Sequence, residues 1–190
     1  GGHNVAGRAT INGGVMIDVS PMKGIFVDPK RRIARVQAGV TWAELDRETQ
    51  AHGLAVTGGV VSSTGVAGLT LGGGLGWLMS KHGLALDNLR SVELVTAAGE
   101  QTFASATEAP DLFWAVRGGG GNFGVATSFE LQLHPIGPTV TGGLIAHQFQ
   151  SAGDILRLFR DSTVSLPDEH SIAGGLIARL RPRACHKARA

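Results

Sequence analysis

The residues of this chain best suited to chemistry are a histidine in a glycine turn and a later run of glycines. His3 follows Gly1 and Gly2 and precedes Asn4, and residues 65–76 read GVAGLTLGGGLG. Glycine has no Cβ and adopts positive φ, so backbone N–H groups in such a run can approach a pyrophosphate or a flat ring closely. A histidine in a glycine turn is by itself more often a surface or capping residue than a ligand. The other motifs must therefore decide its role.

A third glycine cluster, GGGNFG at residues 119–124, satisfies the G-x-G-x-x-G pattern of a dinucleotide-binding turn. That turn must follow a strand and open a helix, with an acidic residue about 20 positions later. Here a predicted helix precedes the cluster, an alternating strand follows it, and no acidic residue stands at that distance. The pattern therefore does not indicate a Rossmann fold.

The elements that must position these motifs are strands and helices with clear end signals. Thr41 and Glu44 form a capping box, which predicts a helix to about His52. Pro110 opens another helix, which Gly118 ends. Further helices are predicted at residues 77–82 and 152–163, and strands at residues 15–20, 24–28, 32–38, 91–96, 101–104, 128–134, 139–148 and 171–180. The composition shift at residues 135–138 predicts a domain boundary.

Composition and charge exclude several classes of protein. The chain has 190 residues, 29 of them glycine, and a formal net charge of +2, which predicts a soluble globular protein without a nucleic-acid surface. Cys185 is the single cysteine, so no intrachain disulfide forms, and we expect no metal site. No apolar run approaches the roughly 20 residues of a membrane span. The basic residues 181–190 predict a disordered tail, and the lack of an initiator methionine suggests that the true N-terminus is missing.

Several motifs in order carry a family resemblance over residues 1–135. They are the His3 turn, GVTW at residues 39–42, the glycine run at residues 65–76, GLALDNL at residues 83–89 and GNFG at residues 121–124. The chain resembles the FAD-linked oxidases of the vanillyl-alcohol oxidase superfamily, with their PCMH-type FAD-binding domain, and is most similar to the berberine-bridge-enzyme-like branch. Several motifs in family-like spacing are far more specific than any one of them.

The resemblance implies a fold and a domain plan. The fold is α+β, a PCMH-type FAD-binding domain with mixed sheets and flanking helices, incomplete at its N-terminus and followed by the start of an α/β substrate domain. The FAD-binding domain would cover residues 1–135 and the truncated substrate domain residues 136–180. Family members take their catalytic base, often tyrosine or glutamate, from later in the substrate domain. This chain has no tyrosine, and we assign no catalytic residue.

The resemblance also implies FAD as the cofactor, bound covalently through the ring of His3. Some family members attach the flavin a second time through a cysteine, and ungapped alignment of residues 72–76 puts Val61 at that position, so a single link is expected. The cofactor-binding residues implied in this way are Gly1, Gly2, His3, Asn4, Val61, Ser62, Thr64, Gly65, Gly68, Gly72, Gly76, Asn122, Gly124 and Val125. For the loop residues among these, between Val61 and Gly68, the alternative is a plain tight turn without a ligand.

The function implied by the resemblance is an oxidase. Hydride would pass from an alcohol, sugar or secondary-metabolite substrate to the flavin, and O₂ would reoxidise the flavin to give H₂O₂. Two alternatives stay open at this point: a truncated, non-catalytic flavin-binding remnant, and a reductase with dissociable FAD. Substrate identity, oligomeric state and compartment do not follow from the sequence.

Overall fold

The computed structural model describes residues 1–137 and 139–177 of the chain. Two compact units follow each other along it, the first Gly1–Val140 and the second beginning at Thr141. The assignment of residues 1–135 to an FAD-binding domain and of residues 136–180 to a substrate domain stays a prediction. The tail expected at residues 181–190 lies outside the described residues.

The elements of the described chain alternate between short strands and short helices. The strands are β1 (Ile25–Asp28), β2 (Ile33–Gln37), β3 (Leu54–Ala55), β4 (Leu89–Val95), β5 (Gln101–Ser105), β6 (Val125–Gln132) and β7 (His134–Pro135). The α-helices are α1 (Trp42–Gln50), α2 (Val66–Leu71), α3 (Met79–His82), α4 (Pro110–Val116) and α5 (Ala152–Ser165). Two 3₁₀ turns lie at Ala85–Asn88 and Phe149–Ser151.

A five-stranded sheet in the order β1-β2-β6-β4-β5 is the centre of the first unit, and its neighbouring strands are antiparallel. The register aligns Val36, Phe129, Val92 and Ala104 in one row across four strands. All four side chains are fully buried, so this row fixes which face of the sheet meets the core. β3 and β7 form a separate two-stranded sheet. The predicted α+β fold with flanking helices is confirmed.

The helix ends follow the signals in the sequence. The capping box is present at α1, where Glu44 accepts hydrogen bonds from the Thr41 backbone N–H at 2.8 Å and the Thr41 hydroxyl at 2.9 Å. Gly53, with φ +65°, follows the helix. Pro110 stands in the first turn of α4, where its missing N–H costs nothing. The hairpin of β4 and β5 forms as predicted.

Helix α2 was not predicted, although it lies inside the glycine run. Val66 and Thr70, four residues apart, are its buried positions, which is the spacing of one helix face. Gly68 in the middle and Gly65 and Gly72 at the ends hide this pattern, since glycine is a weak helix former. The segment that the sequence predicted as a loop therefore contains a short helix.

Three predicted strands are absent from the described residues. At residues 15–20, Asp18 instead accepts hydrogen bonds from the backbone N–H and the hydroxyl of Ser20, a local bond that competes with strand pairing. Residues 139–148 and 171–177 also form no strand. Each contains a glycine pair, at residues 142–143 and 174–175, and glycine weakens a strand interior. Residues 178–180 of the last prediction are outside the described chain.

The second unit is built around α5, which was predicted. Ile155, Phe159 and Ser162 are half-buried at three- and four-residue spacing, and the Phe159 ring lies near Gly174. Among the described helices, none is both long enough and apolar enough to cross a membrane.

Candidate functional site

The His3 turn and the glycine run, distant in sequence, meet in the first unit. His3 Nε2 lies 2.9 Å from the hydroxyl oxygen of Ser63. Nearby, a Cβ on Gly1 would collide with the backbone of Gly65. Only glycine at position 1 therefore lets these two segments of the chain come so close. The contact brings predicted residues Gly1 and His3 beside Thr64 and Gly65, and it uses Ser63, which belongs to the loop at residues 61–65 that the sequence predicts to face the cofactor.

The loop that receives His3 is held by the N-terminus of α1. The Trp42 N–H donates to the Thr64 carbonyl at 3.0 Å, and the Ala43 N–H donates to the Ser62 carbonyl at 2.9 Å. These N–H groups in the first turn of a helix have no partner within the helix, so the loop carbonyls complete them. The Val66 N–H also donates to the Val40 carbonyl at 2.9 Å. The loop is thereby fixed at both ends.

A charged residue, Glu44, also stabilises the N-terminus of α1. Glu44 accepts a hydrogen bond from Lys23 at 2.8 Å, in addition to the two from Thr41. The Lys23 ammonium and then the Thr41 donors lower the pKa of the Glu44 carboxyl to about 2. Glu44 is therefore ionised near the positive end of the α1 dipole, and the cap persists at neutral pH.

A cavity of about 410 Å³ opens next to the His3 contact. Its lining residues come from the loop before α2, from α2 itself and from the glycines after it: Gly59, Val60, Val61, Thr64, Gly68, Leu69, Gly72, Gly74 and Leu75. The volume lies in the range of about 300–1,000 Å³ typical of ligand pockets. None of these lining residues is charged, so polar recognition here depends on backbone groups and Thr64.

Four of the predicted cofactor-binding residues line this cavity: Val61, Thr64, Gly68 and Gly72. Gly59, Val60, Leu69, Gly74 and Leu75 were not predicted. Leu69, Gly74 and Leu75 fall between predicted positions, and Gly59 and Val60 directly precede Val61. Gly76 is buried and packs on Gly58, because a Cβ on Gly76 would collide with the Gly58 carbonyl. It supports the wall rather than lining the cavity.

The remaining predicted residues lie outside this cavity. Asn4 accepts a hydrogen bond from the Arg8 backbone N–H at 3.3 Å in a local turn, and Gly2 beside it has φ +66°. Asn122, Gly124 and Val125 belong to the connection from α4 to β6. Their role toward a cofactor stays a prediction.

The glycine cluster at residues 119–124 follows a helix and precedes a strand, as the sequence indicates. A Cβ on Gly124, whose φ is +139°, would collide with the Val95 carbonyl of β4. At the other end of this connection, the Gly118 N–H donates to the carbonyl of Leu71 at 2.8 Å. The connection therefore reaches the end of α2 without contributing to the cavity lining.

The cavity fits a flat, polar-edged ligand in two respects. Its wall includes glycine backbone at Gly59, Gly68, Gly72 and Gly74, where N–H groups can be approached without a side chain in the way. Behind Gly59 lies the indole of Trp42, whose buried Nε1 has no hydrogen-bond partner among the described residues. Buried polar groups without a partner are rare. A cofactor is therefore chemically reasonable here.

A second group of polar side chains lies beyond α3. The rings of His82 and His134 stack with centroids 3.8 Å apart, and His134 Nε2 lies 2.6 Å from Asn88 Oδ1. The Asn88 amide nitrogen donates to the carbonyls of His82 and Leu84. Burial, followed by neighbouring positive charge, lowers the pKa of both imidazoles. This contact joins the end of α3 to β7.

The comparisons with known proteins identify a family. A model of the FAD binding domain family matches residues 1–105. The (R)-6-hydroxynicotine oxidase of Paenarthrobacter nicotinovorans is 43% identical over 145 residues, covering 76% of this chain and 32% of the relative. The chain thus spans about a third of the length of that relative.

Solved structures share the fold. The 6-hydroxy-D-nicotine oxidase of Arthrobacter nicotinovorans superimposes with a TM-score of 0.80 at 39% identity, over 85% of this chain and 36% of that one. The xylooligosaccharide oxidase of Myceliophthora thermophila gives 0.59 at 37% identity, over 63% and 26% of the two chains.

A BBE-like 1 variant of Physcomitrella patens gives a TM-score of 0.59 at 32% identity, over 60% of this chain and 25% of that one. Family model, relatives and structures therefore agree on one family. The chain belongs to the FAD-binding domain family of FAD-linked oxidoreductases, in the berberine-bridge-enzyme-like part of the vanillyl-alcohol oxidase, or PCMH-type, superfamily.

Proposed function

We propose that the cavity beside α2 holds the flavin of FAD, that His3 carries the flavin covalently, and that the whole protein is an FAD-dependent oxidase. The observation that carries the proposal is the contact of His3 Nε2 with Ser63, one residue from Thr64 in the cavity wall. A histidine held beside a glycine-lined cavity is placed for attachment to a flat ligand in it.

Ser63 has a defined part in this proposal. It engages one ring nitrogen, Nε2, which fixes the imidazole orientation and leaves Nδ1 as the nitrogen for the covalent bond. Val61 lines the cavity but has no nucleophilic atom. We therefore expect one covalent link.

The glycines set how closely a ligand approaches the wall. A Cβ built on Gly68 meets no atom within 4 Å, although Gly68 lines the cavity. Space at that position is therefore not needed by the fold. It is available to the cofactor, whose negative phosphates would be met by backbone N–H groups rather than by charged side chains.

Bound FAD would supply the chemistry: it would accept hydride from a substrate C–H bond while the substrate loses a proton, and the reduced flavin with a proton would then reduce O₂ to H₂O₂. This chain supplies attachment, orientation and a wall for the site. Small molecules are the proposed substrates, since relatives are named for oxidation of a hydroxynicotine and of xylooligosaccharides. Residues 136–180 are proposed as the start of the substrate domain.

The test is flavin fluorescence of the denatured protein band after expression with FAD. We expect a fluorescent band from the unmodified chain, none from His3→Ala, and a reduced yield of attached flavin from Ser63→Ala. Ser20→Ala, which changes another exposed serine away from the cavity, is the matched control and should match the unmodified chain.

The alternatives give different results in the same experiment. Flavin that copurifies but leaves on denaturation indicates the reductase with dissociable FAD. A chain that folds but takes up no flavin from excess FAD indicates the non-catalytic remnant. Either result contradicts covalent attachment through His3.

A further inference from the structure

Two consecutive glycines after α2 have a backbone conformation that they would not keep by themselves. Gly73 and Gly74 have φ values of +118° and +81°, and Gly74 lines the cavity. Glycine loses more conformational freedom on folding than any other residue, so such a pair needs neighbours that select one conformation. The shape of this part of the cavity wall is therefore set by contacts from outside the glycine run.

The Ala85–Asn88 turn supplies these contacts. The Ala85 N–H donates to the Gly74 carbonyl at 2.9 Å, and the Leu86 N–H donates to the Gly73 carbonyl at 3.0 Å. A Cβ on Gly74 would collide with the Ala85 side chain, so the turn packs directly against the wall. Neither Ala85 nor Leu86 lines the cavity. The turn therefore acts on the wall through backbone hydrogen bonds.

Asn88 is the residue that fixes the turn. It is 4% exposed, and its amide nitrogen donates to the carbonyls of His82 at 2.9 Å and Leu84 at 2.8 Å. Its Oδ1 lies 2.6 Å from His134 Nε2. Because the amide nitrogen faces two carbonyls, the oxygen faces the ring and accepts its hydrogen bond. Removal of this side chain would leave several buried polar groups without a partner.

Resting on the proposed function, we propose that Asn88 is a positioning residue for the flavin, which fixes the Ala85–Asn88 turn and thereby the wall at Gly73 and Gly74. Asn88 is outside the cavity lining and acts only through the turn. A loosened wall has to be ordered when flavin binds, and this cost lowers the affinity. Loss of Asn88 should therefore weaken FAD binding by the folded protein, whereas a purely structural residue would change only the stability.

The test measures FAD affinity separately from stability. His3→Ala is the parent, because the proposed covalent bond cannot form in it and FAD binding is then a reversible equilibrium. Titration of flavin fluorescence gives the dissociation constant, and urea denaturation gives the stability of the FAD-free protein. We expect Asn88→Ala in this parent to raise the dissociation constant at least about tenfold, in protein that circular dichroism shows to be folded.

Matched variants separate the turn from general destabilisation. Gln50→Ala also removes a side-chain amide that donates to a backbone carbonyl, that of Leu54 at 3.0 Å, but Leu54 is outside the cavity lining. It should lower stability and leave the dissociation constant within about twofold of the parent. His134→Ala removes the partner of Asn88 Oδ1 and should raise the constant about threefold. His134→Gln, whose amide can donate instead, should restore it.

Hydrogen exchange of the unmodified chain gives a second measurement that needs no variant. Coupling between two sites is reciprocal, so FAD should slow exchange at the Ala85 and Leu86 amides, followed by NMR. The reference is the buried Ala38 amide, which donates to the Thr127 carbonyl at 3.0 Å and reports general stabilisation by FAD. We expect stronger slowing at Ala85 and Leu86 than at Ala38.

The outcomes separate the two proposals. An unchanged dissociation constant in folded Asn88→Ala, or equal slowing of exchange at Ala38 and Ala85, overturns the positioning role and leaves the proposed flavin site standing. An unmodified chain that takes up no FAD from an excess of the cofactor overturns the proposed function, and the positioning role with it.

Discussion

Two segments of the first unit are both rich in glycine, but only one of them lines the cavity. The first glycine segment, residues 65–76, contains α2 and lines the cavity. The second glycine segment, residues 118–124, is an exposed connection from α4 to β6, outside the cavity lining. A count of glycines therefore does not identify a binding loop. The atoms that a Cβ would meet do distinguish the two.

The two segments use glycine differently at the atomic level. In the first, Gly76 permits backbone-to-backbone packing, while Gly68 leaves open space beside the cavity. In the second, only the ends are constrained: Gly119 meets Phe123 and the Ala115 carbonyl, and Gly124 meets β4, whereas Gly121 meets nothing within 4 Å. Substitutions at these positions should therefore have different effects on stability and on cofactor binding.

The largest effect is expected for Gly76→Ala. Its Cβ would collide with the Gly58 carbonyl, and neither backbone can move without disturbing the Trp42 ring packed on Gly58. We expect a loss of about 3 kcal/mol in the free energy of unfolding, measured by urea denaturation. Gly121→Ala is the matched control in the second glycine segment and should change this free energy by less than about 0.5 kcal/mol. Equal stability of the two variants would contradict the assigned packing.

A smaller loss in the free energy of unfolding is expected for Gly124→Ala in the second glycine segment. The position has φ +139°, and its Cβ would collide with the Val95 carbonyl. Strain and overpacking together should cost about 2 kcal/mol, again measured by urea denaturation. The comparison with Gly76→Ala becomes sharper if flavin content of the surviving folded protein falls only for Gly76→Ala. A loss of flavin in folded Gly124→Ala would instead support the predicted cofactor role of residues 122–125.

The sequence predicts the parts of this fold that depend on local signals. The capping box at Thr41, Pro110 at the start of α4 and the alternation around Phe129 are set by neighbours in the chain, and each forms as predicted. The strand expected at residues 139–148 depends on a partner strand, and the described residues provide none for it. Propensity without a pairing partner does not make a strand.

In the candidate site, too, local features can be predicted from the sequence and long-range contacts cannot. His3 and the glycine run are visible in the sequence, and the family resemblance connects them. The contact of His3 with Ser63 spans 60 residues, so no local pattern reveals it. Likewise, Leu75 becomes a cavity residue only because Gly76 packs on Gly58. Long-range packing of this kind is decided by the whole fold.

Glu44→Ala tests how the first glycine segment is held. The change removes the cap of α1, whose first-turn N–H groups bind the Ser62 and Thr64 carbonyls. We expect the free energy of unfolding to fall by about 1 kcal/mol. The ion pair with Lys23 adds little to this value because both side chains are partly exposed. Hydrogen exchange should rise at the Trp42 and Ala43 amides and stay unchanged in the second glycine segment. Glu48→Ala, which removes a partly exposed acid later in α1, is the control.

Gly68→Ala separates the needs of the fold from those of the ligand. Because the new Cβ meets no atom within 4 Å and lies in α2, stability should rise by about 0.5 kcal/mol. FAD uptake should fall, since the methyl group occupies space beside the cavity. The measurements are urea denaturation and flavin absorbance after dialysis against excess FAD. Unchanged FAD uptake would contradict cofactor contact at α2.

The smallest effect is expected on the pH dependence of stability, and it arises from histidines that follow the first glycine segment in the chain. Shortly after residue 76 the chain forms α3, where His82 stacks on His134. Burial, followed by the positive charge of Lys81 for His82 and of His82 and Arg32 for His134, lowers the pKa of both rings below the ordinary 6.5. The folded state therefore binds protons less readily than the unfolded state.

The contribution of this pair to stability is complete above about pH 6.5 and is lost as pH falls from there through the lowered pKa values of the folded state. Urea denaturation across this range should show stability falling with acid, and His82→Gln should flatten the slope. His147→Gln, at an exposed histidine in the second unit, should keep it. At the acidic end of this range, hydrogen exchange should increase at α3 but not at residues 118–124, because Asn88 connects His82 at the end of α3 to His134 in β7. A slope that persists in His82→Gln would show that the stacked pair does not control this end of the site.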